Sequence, residues 1–198
     1  MFTSLPHDIQ DELHQLARRY GQPLVETIGL VSPKHFNPLN KADRYSEVCM
    51  VIRRPNGRLL TMTKTYYPPK AYRLPTGGIK LVESVIDALL RETQEETGLQ
   101  VNVERFLAAV AYRMPDQDYP NFYTFAFLLS EIGGTLQIQD EDEQIEDFRE
   151  VLPQELLAVA SNLELVSAQY SKQIDGNWKD WGHFRAIIHR LVWEALQV

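Results

Sequence analysis

Three glutamates, Glu92, Glu95 and Glu96, crowd the end of a predicted helix. At 100° per residue their side chains share an arc of about 100° on one helix face. Gly98 is predicted to end this helix, so the acids lie at the negative end of its dipole. Glu92 and Glu96 also form an unfavourable like-charge pair four residues apart. We therefore expect a cation here, and three carboxylates suit Mg²⁺ or Mn²⁺.

A solvated acidic helix face is the ordinary interpretation of such a charge run. The three glutamates alone do not exclude it, because glutamate is a good helix former. Arg91, next to Glu92, would neutralise only part of their charge. The longer pattern around the glutamates favours a metal site.

That longer pattern resembles the signature of the Nudix hydrolase superfamily. Five residues separate Gly77 from Glu83, and seven more lead to the pair Arg91-Glu92. Residues 93–99 then read TQEETGL. The family signature is Gly, five residues, Glu, seven residues, Arg-Glu, an aliphatic, any residue, Glu-Glu, any residue, Gly and an aliphatic.

Two positions depart from the signature, and one is ambiguous. Thr93 replaces the usual aliphatic residue, and Val82 stands where members often have glycine. Counting back from Glu83 makes Gly77 the signature glycine. Many members would use the second glycine of such a pair, which here is Gly78.

The resemblance implies a divalent metal site and roles for the residues around it. Mg²⁺, for which Mn²⁺ would substitute, is the implied cofactor. The implied metal-binding residues are Gly77, Glu83, Glu92, Glu95 and Glu96. Glu95 is also counted among the catalytic residues, and Arg91 is expected to hold the glutamate side chains in place.

The general base is expected in the acidic run at residues 140–147. In Nudix proteins a loop before a strand and helix supplies a further metal ligand or a general base, and residues 148–156 resemble that strand and helix. Glu143 and Glu146 are the candidates, with Glu143 preferred. Solvated acid is the alternative interpretation of this run.

Basic and aromatic residues flank the signature and suggest substrate contacts. Arg53, Lys64 and Arg73 are candidate phosphate contacts, and Tyr72 is a candidate for stacking on a base. A Pro-rich loop whose tyrosines cover the core is an equally good interpretation of residues 66–73. Pro115 follows Leu99 by sixteen residues, an offset at which Nudix enzymes resembling ADP-ribose pyrophosphatases often carry proline.

The implied activity is metal-dependent hydrolysis of the diphosphate linkage in a small-molecule nucleoside diphosphate derivative, with ADP-ribose or a nucleoside diphosphate sugar favoured. A triphosphate or dinucleoside polyphosphate is the alternative substrate. A nucleotide or sugar-phosphate sensor that does not hydrolyse its ligand is the alternative from another class. Such sensors usually lose signature acids, and all four remain here, which favours the enzyme.

Composition limits the partners and the location. The chain has 198 residues, a net charge of −7 and 44% hydrophobic residues, which predicts a globular protein that does not bind nucleic acid nonspecifically. No apolar run is long enough to cross a bilayer, and the N-terminus does not resemble a secretory signal. A cytoplasmic protein is expected. Cys49, the only cysteine, is interpreted as a small core residue.

The fold implied by the resemblance is α+β, an α/β/α sandwich with a mixed, curved sheet. Residues 1–45 are predicted as an N-terminal extension for packing, homodimerisation or substrate choice, and residues 46–198 as the Nudix domain with its C-terminal helix. A first helix is expected from a Ser4 cap to Gly21, and others over 84–97 and 183–196. On the second, Ile86, Leu90, Thr93 and Thr97 form the predicted buried stripe. Strands are predicted over residues 24–31, 47–53, 58–66, 101–113, 121–130 and 135–138, with a turn at Gly133-Gly134.

Overall fold

The computed structural model describes residues 4–30, 44–115, 117–138 and 143–198. Its helices are α1 (His7–Tyr20), α2 (Val85–Thr97), α3 (Leu156–Glu164) and α4 (Trp178–Ala195), with a 3₁₀ turn at Pro153–Glu155 before α3. Its strands are β1 (Leu24–Gly29), β2 (Ser46–Arg53), β3 (Leu59–Lys64), β4 (Thr76–Ile79), β5 (Leu99–Arg113), β6 (Phe122–Gly134), β7 (Ile145–Val151), β8 (Tyr170–Ser171) and β9 (Gly176–Asn177).

A mixed seven-stranded sheet lies between two helical layers. The strand order is β1-β5-β6-β2-β3-β7, and β4 pairs with β2 beside this path. The β1–β5 and β2–β6 pairs are parallel, and the other pairs are antiparallel. Two hydrophobic clusters cover the sheet, one with α1 and α2 and the other with α3 and α4. The predicted α/β/α sandwich is therefore confirmed.

The central strand β2 shows why the sheet is covered on both faces. Cys49 and Val51 belong to the cluster with α3 and α4, whereas Met50 and Ile52 belong to the cluster with α1 and α2. All four side chains are fully buried, as the alternating directions of side chains on a strand require when both faces are covered. Cys49 is thus a core residue, as expected.

Helix α2 ends at the predicted Gly98, but the predicted buried stripe is only partly right. Ser84 Oγ accepts a hydrogen bond from the Asp87 N–H, and Gly98 adopts a φ of 69° at the other end. Thr93 is buried, but Leu90 is exposed, so that part of the predicted stripe is wrong. The apolar residues on the buried side are instead Val85, Ala88 and Leu89, and Glu92 and Glu96 are buried with them. The carboxylates therefore extend into the protein.

Three boundaries differ from the sequence predictions for identifiable reasons. Gly133 and Gly134 pair with Gln100 and Leu99 at the end of a long β5–β6 hairpin, so the predicted turn there is wrong. Residues 135–138 form no strand. Helix α4 begins at Trp178, before the predicted start near His183, because the Asn177 side chain caps it by accepting from the Lys179 N–H.

The first residues of the chain are built into the same layers. Helix α1 packs in the core beside α2, and β1 pairs with β5. Ser4 does not cap α1 as predicted, because Pro6 is the N-cap and the Ser4 hydroxyl bonds to the Tyr123 hydroxyl. Glu12 of α1 accepts hydrogen bonds from the N–H groups of Val85 and Ile86 at 3.0 and 3.2 Å. It thus satisfies free donors at the start of α2.

No helix in the described ranges combines the length and the apolar character that crossing a bilayer requires.

Val82, in the loop before α2, has a φ of 62° and a fully exposed side chain. This conformation is unfavourable for a β-branched residue, by about 1–2 kcal/mol. Glycine adopts it freely but loses more entropy on folding, by about 0.5–1 kcal/mol. We expect Val82→Gly to raise the free energy of unfolding by about 0.5–1 kcal/mol, measured by urea denaturation. Leu81→Gly, at an exposed neighbour without a positive φ, should lower it; equal effects would contradict this explanation.

His189 of α4 is fully buried and links that helix to the segment before β4. Its Nε2 accepts from the Leu74 N–H at 2.8 Å, and its Nδ1 lies 2.7 Å from the Arg185 carbonyl oxygen, which accepts from that nitrogen. Burial, aided by the charges of Arg73 and Arg185, lowers the pKa of His189 to about 3, against the raising effect of the Arg185 carbonyl. The imidazole is therefore neutral in the native state.

This low pKa predicts acid destabilisation. Below pH 6.5 the unfolded chain binds a proton at His189 that the native state does not, so stability present above pH 6.5 is lost as the pH falls towards 3. We expect a loss of about 2 kcal/mol between pH 7.5 and 5 from this group. In His189→Gln the free energy of unfolding, measured by urea denaturation at several pH values, should fall less steeply between pH 7.5 and 5. The control is His14→Gln, at an exposed histidine of α1, which should keep the wild-type dependence on pH.

Candidate active site

The signature residues converge on a polar cavity of about 390 Å³ between α2, β4, the end of β3 and α4. Among the described residues, six basic side chains and five carboxylates line it. They are Arg44, Lys64, Arg73, Lys80, Arg91 and Arg185, with Glu47, Glu92, Glu95, Glu96 and Glu143. Basic residues thus outnumber acidic ones in this lining, whereas the whole chain has a net charge of −7. An anionic ligand suits this distribution.

Arg91 holds the predicted carboxylates together. Its Nε and Nη2 donate to the two oxygens of Glu83 at 2.7 and 2.8 Å, and its Nη1 donates to Glu92 and Glu95 at 2.8 Å each. Nη2 also donates to the Gly78 carbonyl oxygen at 3.0 Å. One guanidinium therefore joins α2, the loop before it and β4. Its hydrogen bonds lower the pKa of Glu83 despite partial burial.

Of the four signature glutamates, Glu96 is the one to which Arg91 donates no hydrogen bond. Its side chain is 1% exposed, and its Oε2 atom is buried without a hydrogen-bond partner among the residues that the structure describes. The nearest cation is Lys64, with Nζ 3.8 Å from Oε1. Burial raises the pKa of Glu96 to about 8, although the charges of Lys64 and Arg73 lower it. Burying a carboxylate oxygen without a hydrogen-bond donor destabilises the folded protein unless a ligand such as a cation binds that oxygen.

Glu92 shares this buried position, and Gly77 makes room for it. Burial raises the pKa of Glu92, against the hydrogen bond and charge of Arg91. A Cβ atom at Gly77 would lie 2.1 Å from Glu92 Cδ, so no other residue fits there without displacing the carboxylate. Gly78 is close to the Arg44 guanidinium instead. The close approach therefore belongs to Gly77, the glycine that counting back from Glu83 selects.

The chemistry of the donors, though not their present arrangement, suits a hard divalent cation. In the described part of the chain, no three carboxylate, imidazole or thiol groups converge as a metal-ligand set. Arg91 is bonded to Glu83, Glu92 and Glu95. The unpartnered oxygen of Glu96 and the neighbouring carboxylates of Glu92 and Glu95 nevertheless supply the oxygen ligands that Mg²⁺ and Mn²⁺ prefer.

Glu143 also lines the cavity, where Lys64 Nζ lies near the carboxylates of Glu143 and Glu96, at 2.7 and 3.8 Å. Lys64 Nζ donates to Glu143 Oε2 at 2.7 Å. Burial raises the pKa of Glu143, but the hydrogen bond and charge of Lys64, a hydrogen bond with Glu96 and the charge of Arg73 outweigh burial, and the net shift is downward. Glu146 lies on β7 with an exposed side chain and does not line the cavity. Of the two candidate bases, the structure brings only Glu143 to the site.

Arg73 is buried without a carboxylate in contact, among the described residues. Its side chain donates to the Tyr67 hydroxyl at 2.9 Å, the Leu74 carbonyl oxygen at 2.7 Å and Thr76 Oγ1 at 3.1 Å. The residue is 2% exposed and lines the cavity. A buried guanidinium whose positive charge is not paired is stabilised by an anion.

Three residues expected to contact substrate lie outside the cavity. Arg53 pairs with Glu104 at 3.1 Å on the surface. Tyr72 donates a short hydrogen bond to Asp147, and the Arg149 guanidinium lies over its ring. Pro115 is an exposed residue after β5. Arg53 and Tyr72 are placed by side-chain partners on other strands. The order of residues along one strand does not reveal such partners.

Sequence reasoning missed Arg44, Glu47, Lys80 and Arg185 as cavity residues. Lys80 directly follows the glycine strand β4 and was accessible from its position in the chain. Arg185 and Glu47 are 138 residues apart, yet they form an ion pair at 2.7 Å. No local spacing signals such a pair.

Because the Glu96 carboxylate is buried, we expect it to lower the free energy of unfolding when it is ionised. Between about pH 4.5 and 8 the native state retains a proton that the unfolded chain releases, so this group lowers stability as the pH rises. In EDTA at pH 8.5 we expect Glu96→Gln to raise the free energy of unfolding by about 1–3 kcal/mol. Glu95→Gln, at a partly exposed carboxylate on the same helix, should change it by about 0.5 kcal/mol or less. A less stable Glu96→Gln protein would contradict this assignment.

Two curated proteins illustrate what the chain is similar to. It is 33% identical over 99 residues to a Methanocaldococcus jannaschii protein named ADP-ribose pyrophosphatase, covering 50% of this chain and 57% of that one. It is 30% identical over 107 residues to phosphatase NudJ of Escherichia coli K12, covering 54% of this chain and 67% of NudJ. The chain thus spans little more than half of the M. jannaschii protein.

Solved structures show a more distant similarity. A crystal structure of a UDP-X diphosphatase aligns with a TM-score of 0.46 at 19% identity, covering 79% of this chain and 64% of that one. An ADP-ribose pyrophosphatase from Streptococcus suis aligns with a TM-score of 0.44 at 16% identity, covering 77% of this chain and 92% of that one.

A family model decides the assignment. The model described as the NUDIX domain matches residues 43–174, a span that includes β2–β7, α2, α3 and most of the cavity residues. On that match the chain belongs to the Nudix family.

Proposed function

We propose that this chain is a divalent-metal-dependent hydrolase that cleaves the diphosphate linkage of a small nucleoside diphosphate derivative. The observation that carries the proposal is the buried Oε2 of Glu96, which lacks a hydrogen-bond partner. It lies on the same helix face as Glu92, in a cavity lined by basic side chains. A carboxylate is stable in such a place when a cation binds it.

The residues proposed to hold the cation are Glu92, Glu95 and Glu96. The chemistry supplied by a bound divalent cation is neutralisation of diphosphate charge and a lowered pKa of a bound water. Glu83 does not line the cavity, so we assign it to the support of Arg91 rather than to direct metal contact. Gly77 supports the site by leaving space for Glu92.

The chain's own side chains supply positioning and proton transfer. Arg91 keeps Glu92 and Glu95 on one side of the cavity, where fixed geometry contributes most of the catalysis in phosphoryl transfer. Arg73 and Lys64 are proposed to bind the phosphate oxygens. Glu143, whose pKa is lowered by Lys64, is ionised at neutral pH and is proposed to accept the proton of the attacking water.

ADP-ribose or a nucleoside diphosphate sugar is the proposed substrate. The name of the M. jannaschii relative supports this class, and all four signature glutamates are present, which supports a hydrolase over a sensor. A triphosphate or dinucleoside polyphosphate would bind the same cationic residues and is distinguished by experiment.

The test is a panel of ADP-ribose, ADP-glucose, diadenosine tetraphosphate and ATP, assayed with Mg²⁺ and with Mn²⁺. We expect hydrolysis of the first two at the diphosphate linkage, and kcat/KM lowered by at least about 100-fold in Glu96→Gln. Glu104→Gln, at an exposed carboxylate paired with Arg53, is the matched control and should retain activity.

Calorimetry with MgCl₂ completes this test. Glu96→Gln should lose Mg²⁺ binding that the wild-type protein shows. A wild-type protein that binds Mg²⁺ but hydrolyses none of the four compounds would support the sensor and overturn the proposed hydrolase. Full activity in Glu96→Gln would overturn the metal assignment.

A further inference from the structure

A second polar cluster lines the cavity on the side formed by α4. It consists of Arg185 on α4, Glu47 on β2 and Thr124 on β6. Arg185 Nη1 donates to both oxygens of Glu47 at 2.7 and 2.9 Å, and Thr124 Oγ1 donates to Glu47 Oε1 at 2.9 Å. Glu47 is 6% exposed. The guanidinium is therefore fixed by Glu47, whose carboxylate is itself held by Thr124 at the centre of the sheet.

Arg185 still has a donor without a partner. Its Nε is buried and makes no hydrogen bond within the described part of the chain. Arg185 itself lines the cavity. An arginine held in place at one nitrogen presents its remaining N–H groups in a defined direction. This arrangement suits the recognition of an acceptor on a ligand.

Arg73 and Arg185 differ in how their charges are balanced. No described carboxylate lies in ion-pair contact with Arg73, whereas Glu47 contacts Arg185 directly. A phosphate that approached Arg185 would also be repelled by the Glu47 carboxylate. An uncharged acceptor, such as a hydroxyl oxygen, would gain the hydrogen bond without this repulsion. The two arginines therefore favour different parts of a substrate.

Aromatic side chains beside this cluster provide an apolar surface. Tyr66 and Tyr67 line the cavity, and their rings pack edge to face with centroids 5.0 Å apart. Tyr67 also packs against Trp181 of α4 at 4.7 Å. A flat or ring-shaped group bound next to Arg185 would contact these rings.

We propose that Arg185 is a substrate-binding and specificity-determining residue that donates a hydrogen bond to a hydroxyl of the uncharged sugar attached to the second phosphate of the substrate. The geometry thus favours a nucleoside diphosphate carrying such a sugar over a nucleoside triphosphate, which has a phosphate at that position. Arg185 lies outside the span of the NUDIX-domain match, which ends at residue 174. The inference rests on the proposed function, because it assigns a part of that substrate to one wall of the cavity.

The test replaces Arg185 by lysine, which keeps a positive charge beside Glu47 but removes the planar fork of donors. We expect KM for ADP-ribose to rise about tenfold with kcat within about twofold, since one hydrogen bond made equally before and during reaction is lost. The inhibition constant of ATP, measured as a competitor of ADP-ribose, should change less than about twofold. Arg190→Lys is the matched control, because Arg190 lies on the same helix but pairs with Glu164 at the surface.

Calorimetry separates this inference from the proposed function. ADP-ribose binding is measured in EDTA, with circular dichroism to confirm that each variant is folded. If the wild-type protein binds ADP-ribose without hydrolysing it, but Arg185→Lys binds about tenfold more weakly, the inference stands and the proposed hydrolase fails. An unchanged KM and affinity in folded Arg185→Lys would overturn the inference. So would an equal rise in the inhibition constant of ATP, which would place a phosphate at Arg185.

Discussion

The hydrogen bonds from one guanidinium to three carboxylates organise this site. Arg91 connects the loop carboxylate Glu83 with Glu92 and Glu95 on α2 and with the backbone of β4. Without this cation, the like charges on the last turns of α2 would repel one another and the dipole of the helix. The loop, the strand and the helix are separate elements, so their relative positions at the cavity depend on this set of contacts.

The structure distributes charge unevenly around that arginine. Arg91 compensates the carboxylates near the loop, whereas the nearest described cation to Glu96 is Lys64 at 3.8 Å, and burial outweighs the charges of Lys64 and Arg73. Stability alone would not maintain a carboxyl group whose pKa is raised by burial to about 8. Functional sites commonly retain such unfavourable groups because ligand binding compensates for them. The same reasoning applies to Arg73, whose buried positive charge lacks a contacting carboxylate in the described structure. The site thus presents opposite, incompletely balanced charges to one cavity.

Sequence reasoning reached the layers of the fold and the shared face of the α2 carboxylates, because both depend on local spacing. The separations between Gly77, Glu83 and Glu92 are visible along one segment, and the end of α2 follows from Gly98. The predicted rotation of α2 is partly wrong because it places Glu92 and Glu96 beside the buried stripe rather than within it. In the structure they occupy the buried side, where a functional requirement overrides the usual pattern. Contacts between distant segments, such as Glu12 with the start of α2 or Glu47 with Arg185, have no local signal.

The position of α4 along its own axis depends on Gly182. A Cβ atom there would lie 2.1 Å from the Leu163 carbonyl oxygen of α3, so the two helices touch at this point through backbone alone. Arg185 follows three residues later, a little under one helical turn. Any side chain at position 182 would collide with this carbonyl oxygen and push the two helices apart. The position of Arg185 at the cavity is thus linked to a missing methyl group at the contact between two helices.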